Sequence, residues 1–500
     1  MGLAVVYSRA QLGVKAPGVS IEVLLSGGLP RFSIVGLVAA AVRESQDRVR
    51  GAILSSGFDF PQRRITVSLA PADMPKTGGR FDLAIAVGIL VASGQVTAAH
   101  LGELELYGEL SLSGALRPVS GMLPSALGAL DPDRGLVVPN GNVEEAALAR
   151  GVVFGAGSLL EVTAHLSGAQ LLAAAGTDEP LPTAATAVEI PDISDVRGQD
   201  IAKRALEVAA AGRHNLLLTG PPGTGKSMLA RRLPGILPRL SYAEALETAA
   251  VDSVLGLSVD PSRWRQRAFR APHHSATAPA LVGGGSPPGP GEISRAHNGV
   301  LFLDELPEWS RHVLETLREP IETGVIIIAR AVGQAEFPAS FQLVAAMNPC
   351  PCGYLGDRNG ECHCSAEQVA NYRSRVSGPL LDRIDLHITV ARPRPDALRR
   401  RATQGETSRE VAERVLSARQ RQFDRQEDCN ADVADAELQS WRLTHDTVEL
   451  IERAMERFAM SVRAQRRVLK VARTIADLAG REEIAREDAA EALAFRGFGR

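Results

Sequence analysis

The sequence predicts an α/β protein with an α+β N-terminal region, a central α/β region and a helical C-terminal tail. Three observations predict it. Residues 1–170 alternate short apolar strands, such as Arg64–Leu69, with Gly-rich turns and Ala-rich helical stretches, such as Glu144–Ala149. Further on, the apolar strand Asn215–Thr219 enters a Gly-rich turn that opens a helical stretch, Met228–Leu233. From Pro393 the chain is rich in Arg and Glu at helical spacing.

The chain has 500 residues, enough for two or three domains. Hydrophobic residues make up 45% and charged residues 23%, as in a globular protein. A formal net charge of -3 excludes a general polycation, so any nucleic-acid surface has to be a local patch. Aromatics at 4% argue against a large base-stacking platform. The most apolar run, Leu83–Ala92, is too short to span a membrane, and the first residues lack a signal-peptide pattern. The expectation is a cytoplasmic protein with no membrane partner.

The organisation expected is a domain over 1–170, a linker over 171–191, an α/β core over 192–392 and a helical lid over 393–500. Gly176–Ile190 carries Pro, Thr and Ala with no period that would bury a face, which marks the linker.

The turn after Asn215–Thr219 is Gly220-Pro221-Pro222-Gly223-Thr224-Gly225-Lys226-Ser227, which fits G-x-x-x-x-G-K-[ST]. Its glycines let backbone N–H groups turn inward around phosphates. Lys226 reaches the β- and γ-phosphates of ATP, Ser227 offers its hydroxyl to Mg²⁺, and the helix N-terminus adds a favourable dipole. Gly299–Leu303 reads as a buried parallel strand ending in Asp304 and Glu305. Asp304 would hold the Mg²⁺ shell and Glu305 would polarise the attacking water. Phe341–Met347, another buried strand, ends at Asn348, which could orient the same water. Arg383, in Leu380–Leu386, is a candidate finger for the γ-phosphate of an adjoining subunit; a surface ion pair to Asp382 or Asp385 is the competing reading.

Cys350, Cys352, Cys362 and Cys364 form two C-x-C pairs around the loop 353–361. Four thiolates suit a closed tetrahedral site, as structural Zn²⁺ prefers; His363 could replace one of them. Reduced thiols in a loop are the alternative. Cys429 stands apart.

Val325–Arg330 and Ala335–Phe337 flank a turn at Ala331–Gln334, a hairpin pattern with Arg330 near its tip. Pro272–Gly291, with Gly283–Gly285 and a Pro/Gly run, reads as a mobile insertion. Arg392–Arg425 holds many arginines interleaved with acids, so a solvated helix competes there with phosphate contact.

From about residue 192 the chain resembles the magnesium-chelatase-like branch of AAA+ ATPases, through Asp195–Gln199, the two phosphate-site motifs, Asn348 and Leu380–Leu386. Ser461–Leu478 is similar to the sensor-2 helix of that family, and the resemblance implies Arg463 as the arginine touching the γ-phosphate in cis. Ile65–Leu90 and Gly108–Met122 resemble the Lon protease-like (ribosomal S5 domain 2-like) domain of the YifB/ComM family. Arg270–Gly285 and Ala345–Gly353 complete that match.

The resemblance implies a homo-hexameric ring ATPase acting on single-stranded or branched DNA, a branch-migration helicase in natural transformation and recombination, with recombination proteins as partners. The Lon-like active site is lost: its serine position falls on Arg80 and its lysine position near Leu123, neither of which can serve. The rival readings are a chelatase-type motor and a protein-remodelling ATPase. The N-terminal domain and the cysteine loop speak against the chelatase.

Overall fold

The computed structural model describes residues 2–36, 40–97, 99–130, 133–175, 190–330, 333–357, 360–392 and 405–497. Two larger sheets organise them. The first has seven strands in the order Arg31–Val35, Arg64–Ala70, Gly18–Ser26, Gly2–Arg9, Leu104–Leu106, Gly135–Pro139, Val153–Ala156. Its long central strands alternate buried and exposed residues, as a sheet with one covered face must. The covering element is the helix Asp82–Ala92, in which every residue from Asp82 to Leu90 is buried. The apolar run Leu83–Ala92 is thus a core helix. Among the described residues no helix is long and apolar enough to cross a membrane.

The second sheet has five parallel strands in the order Phe269–Arg270, Val300–Leu303, Gln342–Met347, Leu216–Thr219, Leu386–Thr389. Val300–Leu303 and Gln342–Met347 are buried at every position, because helices cover both faces. Helix Asp200–Gly212 packs on this sheet, and the C-terminal helices Ser408–Gln426 and Val462–Leu478 pack on it in turn through Val411, Val415, Val468 and Val471. Helix Ser408–Gln426 starts where Thr407 and Glu410 cap each other's backbone N–H groups.

The two halves share a core. Ala249 and Ala250 of helix Tyr242–Val254 are buried among Met122, Leu123 and Ala126 of the N-terminal region. The Gly121 N–H donates to Ser253 O (2.8 Å), the Tyr242 hydroxyl donates to Leu148 O (2.6 Å), and the Arg150 guanidinium covers the Tyr242 ring at 4.1 Å.

Several expectations shift at the level of elements. Residues 171–175 were expected in the linker, yet the Ala175 N–H bonds Val153 O, so the first domain's backbone bonding reaches that far; 176–189 lie outside the described residues. The helix expected at Glu144–Ala149 spans Val143–Ala147. Pro272–Gly291, expected to be a mobile insertion, holds the helix Ala278–Val282 and a short ladder of Gly283–Gly284 with Gly289–Pro290. Its glycines serve close backbone approach: a Cβ on Gly291 would lie 2.4 Å from Leu281 O.

Candidate active site

The Gly-rich loop follows the strand Leu216–Thr219 and opens the helix Lys226–Ala230. Gly223 (φ +74°) and Gly225 (φ +89°) adopt the left-handed backbone that turns successive N–H groups to one side. Lys226 is tucked into the loop: its ammonium donates to Gly220 O (2.7 Å), Pro221 O (2.9 Å) and Asn348 Oδ1 (3.1 Å). Burial lowers its pKa, against the pull of Asp304 and Glu305. The Ser227 hydroxyl donates to Asp304 Oδ2 at 2.6 Å. A hydroxyl and a carboxylate this close can share one hard cation, so both fit a Mg²⁺ site.

The strand order explains how these residues meet. Gln342–Met347 lies between Leu216–Thr219 and Val300–Leu303. Its end carries Asn348 between the loop and the two acids. Glu305 follows with φ +50°, a left-handed conformation that a glutamate adopts at a cost of about 1 kcal/mol. The turn is fixed from outside: the Trp309 indole N–H donates to Asp304 O (3.0 Å), and the Glu305 N–H donates to Asp304 Oδ1 (2.9 Å). Sequence reasoning missed a partner here. His274 Nδ1 lies 3.2 Å from Glu305 Oε2. The adjacent His273-His274 pair was the available signal.

The four cysteines converge. Cys350 Sγ lies 3.4 Å from Cys352 Sγ and 3.7 Å from Cys362 Sγ, and Cys352 and Cys362 are 3.7 Å apart. All four sulfurs lie within 4.8 Å of one another, and His363 is not in the group. Tetrahedral thiolates at a Zn–S distance of about 2.3 Å stand about 3.8 Å apart, so the set has the dimensions of a metal centre. The Tyr354 backbone N–H helps draw the Cys352 thiol down to about 6. The loop presses on the phosphate site: a Cβ on Gly353 (φ +86°) would sit 2.6 Å from Pro222 Cδ.

Arg383 and Arg463 lie elsewhere. The strand Leu386–Thr389 pairs Leu216 with Leu386 and Thr219 with Thr389. Arg383 therefore precedes the sheet's amino edge, while the Gly-rich loop leaves its carboxyl edge. The four residues between span about 13 Å at the usual rise. Arg383 is buried, donates to Pro379 O (2.7 Å) and pairs with Glu322 Oε1 at 2.8 Å. The surface pairing considered for it, to Asp382 or Asp385, is not the one found. Arg463 pairs with the same Glu322. The structure thus sets Arg463 beside Arg383, both on Glu322. Arg467 reaches Asp385 Oδ1 (2.5 Å), whose other oxygen lies 3.6 Å from His214 Nδ1.

The hairpin forms from Val325–Arg330 and Gly333–Pro338, with a tighter turn than the expected Ala331–Gln334, since Gln334 pairs with Ala329 and Gly333 with Arg330. Residues 331–332 lie outside the described residues. The N-terminal region holds this hairpin from one side. Lys15 pairs with Glu336 at 3.2 Å, and a Cβ on Gly13 would lie 2.5 Å from Glu336 O.

In the N-terminal region Arg80 is 4% exposed, and burial pushes its pKa down to about 10, still protonated at neutral pH. It donates to Gln11 Oε1 (2.8 Å) and to Ser120 O. Ser125 Oγ is 3.5 Å from Arg80 and donates to Gly121 O (3.0 Å). Lys76 is turned away, onto Pro71 O, and Leu123 is buried in the shared core. Ser111 and Ser113 bond each other at 2.9 Å in the turn after the strand Glu109–Leu110. Among the described residues no lysine amine bonds any of these hydroxyls.

A parallel sheet with the phosphate loop and the acid pair on non-adjacent strands, followed by a helical domain, defines a P-loop ATPase core of the AAA+ type. Comparison with known proteins agrees. Residues 192–398 match the family model described as magnesium chelatase, subunit ChlI; residues 21–142 match subunit ChlI of Mg-chelatase; residues 405–496 match the ChlI C-terminal model. The chain is 49% identical to the YifB protein of Salmonella typhimurium and 49% identical to the competence protein ComM of Haemophilus influenzae, in each case over 100% of this chain and 98% of the relative. It is 27% identical to the magnesium-chelatase 67 kDa subunit of Chlorobaculum parvum over 31% of this chain and 23% of that one. The chain belongs to the magnesium-chelatase-like family that includes YifB and ComM.

Proposed function

We propose that this chain is an ATP-hydrolysing motor that works on DNA as a homo-hexameric ring in the cytosol, a branch-migration helicase or translocase of natural transformation and homologous recombination. The observation that carries the motor reading is the Ser227–Asp304 contact beside Lys226, Asn348 and Glu305. In this reading the loop 220–227 cradles the phosphates of ATP, and Lys226 exchanges its loop carbonyls for phosphate oxygens. Mg²⁺, when bound by Ser227 and Asp304, neutralises phosphate charge. Glu305 takes the proton of the attacking water as its oxygen bonds the γ-phosphorus, and the bond to the bridging oxygen breaks to release ADP.

Arg383 belongs to a neighbour's site in this reading, since it cannot cross its own sheet. Arg463, paired to the same carboxylate, goes with it. This moves Arg463 from the cis role to a trans one. The four cysteines hold a structural Zn²⁺ that stiffens the loop behind Asn348 and Pro222. The N-terminal region is a Lon-like domain without peptidase chemistry that braces the hairpin.

DNA as the substrate is supported by the full-length likeness to a competence protein and by the hairpin with Arg330 near its tip. A chelatase-type or protein-remodelling motor is the second reading, supported by the chelatase names of all three matched models. The N-terminal domain does not discriminate as expected, because a chelatase-subunit model covers residues 21–142 as well. ATPase turnover with and without single-stranded and forked DNA tests the choice. Stimulation by DNA supports the helicase reading, and equal turnover refutes it.

A further inference from the structure

Three elements far apart in sequence converge on one carboxylate. Arg383, just after the helix Gly378–Leu381, lies 2.8 Å from Glu322 Oε1, and Arg463, in the first turn of the helix Val462–Leu478, bonds the same oxygen. Partial burial pushes the Glu322 carboxyl up, but the Arg383 bond and the charges of Arg383, Arg463 and Arg467 outweigh it and hold the group below its ordinary value. Glu322 is therefore ionised at neutral pH, and it cancels the charge of one of the two arginines it holds.

The carboxylate is fixed in place. Glu322 lies at the end of the helix Arg318–Thr323, and that end is tied to the foot of the hairpin. The Val325 N–H donates to Thr323 Oγ1 (3.3 Å), and the Ala339 N–H donates to Gly324 O (2.7 Å). Arg383 is engaged on every side. Its side chain is 7% exposed, one terminal nitrogen donates to Pro379 O (2.7 Å) and the other meets Glu322. Its buried Nε has no hydrogen-bond partner among the described residues. A phosphate can reach this guanidinium only in exchange for Glu322. The two anions cannot hold it together, because like charges at contact distance repel strongly where water is scarce.

We propose that Glu322 is a positioning residue that parks Arg383 and Arg463 together, and that the γ-phosphate of a neighbouring subunit's ATP must displace it. This rests on the reading of both arginines as parts of a neighbour's site. Glu322 touches neither ATP nor water. It sets how much ATP is needed before one subunit's arginines leave their own carboxylate for the next subunit's phosphate.

The test uses the full-length protein at one fixed chain concentration. Turnover is measured against ATP concentration for wild type, Glu322→Gln, Arg383→Ala, the Arg383→Ala/Arg463→Ala chain, and that last chain carrying Glu322→Gln. Where turnover is slow, fluorescent-nucleotide titration supplies the affinity. Gln keeps an oxygen to accept from Arg383 at a half-exposed position, so the fold tolerates it. Glu322→Ser removes the same charge and decides the same question if the Gln variant does not fold. Glu322→Gln is expected to lower KM for ATP about fivefold, the upper end for a half-exposed ion pair that no longer has to break, with kcat unchanged. In the chain without the two arginines the same substitution should leave nucleotide affinity where it was. A purely structural role would instead lower kcat and act whether or not the arginines are present. An unchanged or raised KM in Glu322→Gln, or an equal shift in the chain without the arginines, overturns the proposal. Wild-type turnover in Arg383→Ala removes the trans reading and the proposal with it, whereas a slow Arg383→Ala beside an unshifted Glu322→Gln removes the proposal alone.

Discussion

Gly353 lies so close to Pro222 that a Cβ on the glycine would meet the proline's Cδ at 2.6 Å. The Gly353 backbone of the cysteine loop therefore packs directly on the Pro222 ring of the phosphate loop. Gly353→Ala adds that clash to a φ of +86° and is expected to weaken ATP binding about tenfold, roughly 1.4 kcal/mol, without touching a phosphate contact. Fluorescent-nucleotide titration measures it. Unaltered affinity would mean that the loops are mechanically independent.

The cysteine set predicts about one Zn²⁺ per purified chain, from its four ligands. Stripping it with a chelator should free four thiols and lower nucleotide affinity in the same direction as Gly353→Ala. Metal analysis with thiol titration checks the stoichiometry. Protein without metal, and with all four thiols reactive in the native state, would remove the site.

Hydrolysis divides between two residues. Lys226→Ala should lose ATP binding, since the β- and γ-phosphates lose their cation. Glu305→Gln should bind ATP and retain it unhydrolysed. Nucleotide retention on rapid gel filtration separates the two, and wild-type turnover in Glu305→Gln contradicts the assignment.

The shared Glu322 ties the fates of two arginines. Arg383→Ala and Arg463→Ala should each bind ATP and hydrolyse it slowly. Mixing Arg383→Ala with Lys226→Ala should restore part of the turnover, because an intact loop then meets an intact arginine. If mixing restores nothing while the two variants co-assemble, the arginine does not act across subunits.

Asp385 predicts a pH effect. Burial alone would raise its pKa, but the His214 contact and the Arg467 charge hold it well below the ordinary carboxylate range. The stabilisation is therefore complete above the unfolded value of about 4 and is lost as pH falls toward the folded one. Asp385→Asn should destabilise by about 3 kcal/mol at pH 7, since Arg467 loses its partner. Urea melts should show variant and wild type converging as the pH drops from 5 toward 2. A constant gap would show that the loss is steric.

Much of the phosphate site was legible because its parts are local. The loop 220–227 and the acids Asp304 and Glu305 each sit at the end of an apolar strand, and strand ends meet in a parallel sheet. The pairing of Arg463 with Glu322 was not legible, because it depends on how the C-terminal helices dock, which no local pattern records. Glu322 was missed for a similar reason: it acts through contacts with residues distant in sequence, and nothing in its own neighbourhood marks it. The helix Ala278–Val282 was hidden by the glycines and prolines around it, which here serve close packing rather than freedom.

Ala249 and Ala250 sit in a core whose other members come from residues before the linker. The covalent connection is then not what keeps the halves together. A protease that nicks the chain between 176 and 189 should yield two fragments that still migrate as one particle, and heating the intact chain should give one calorimetric peak rather than two. Removing residues 1–170 would leave the alanine face of Ala249 and Ala250 uncovered.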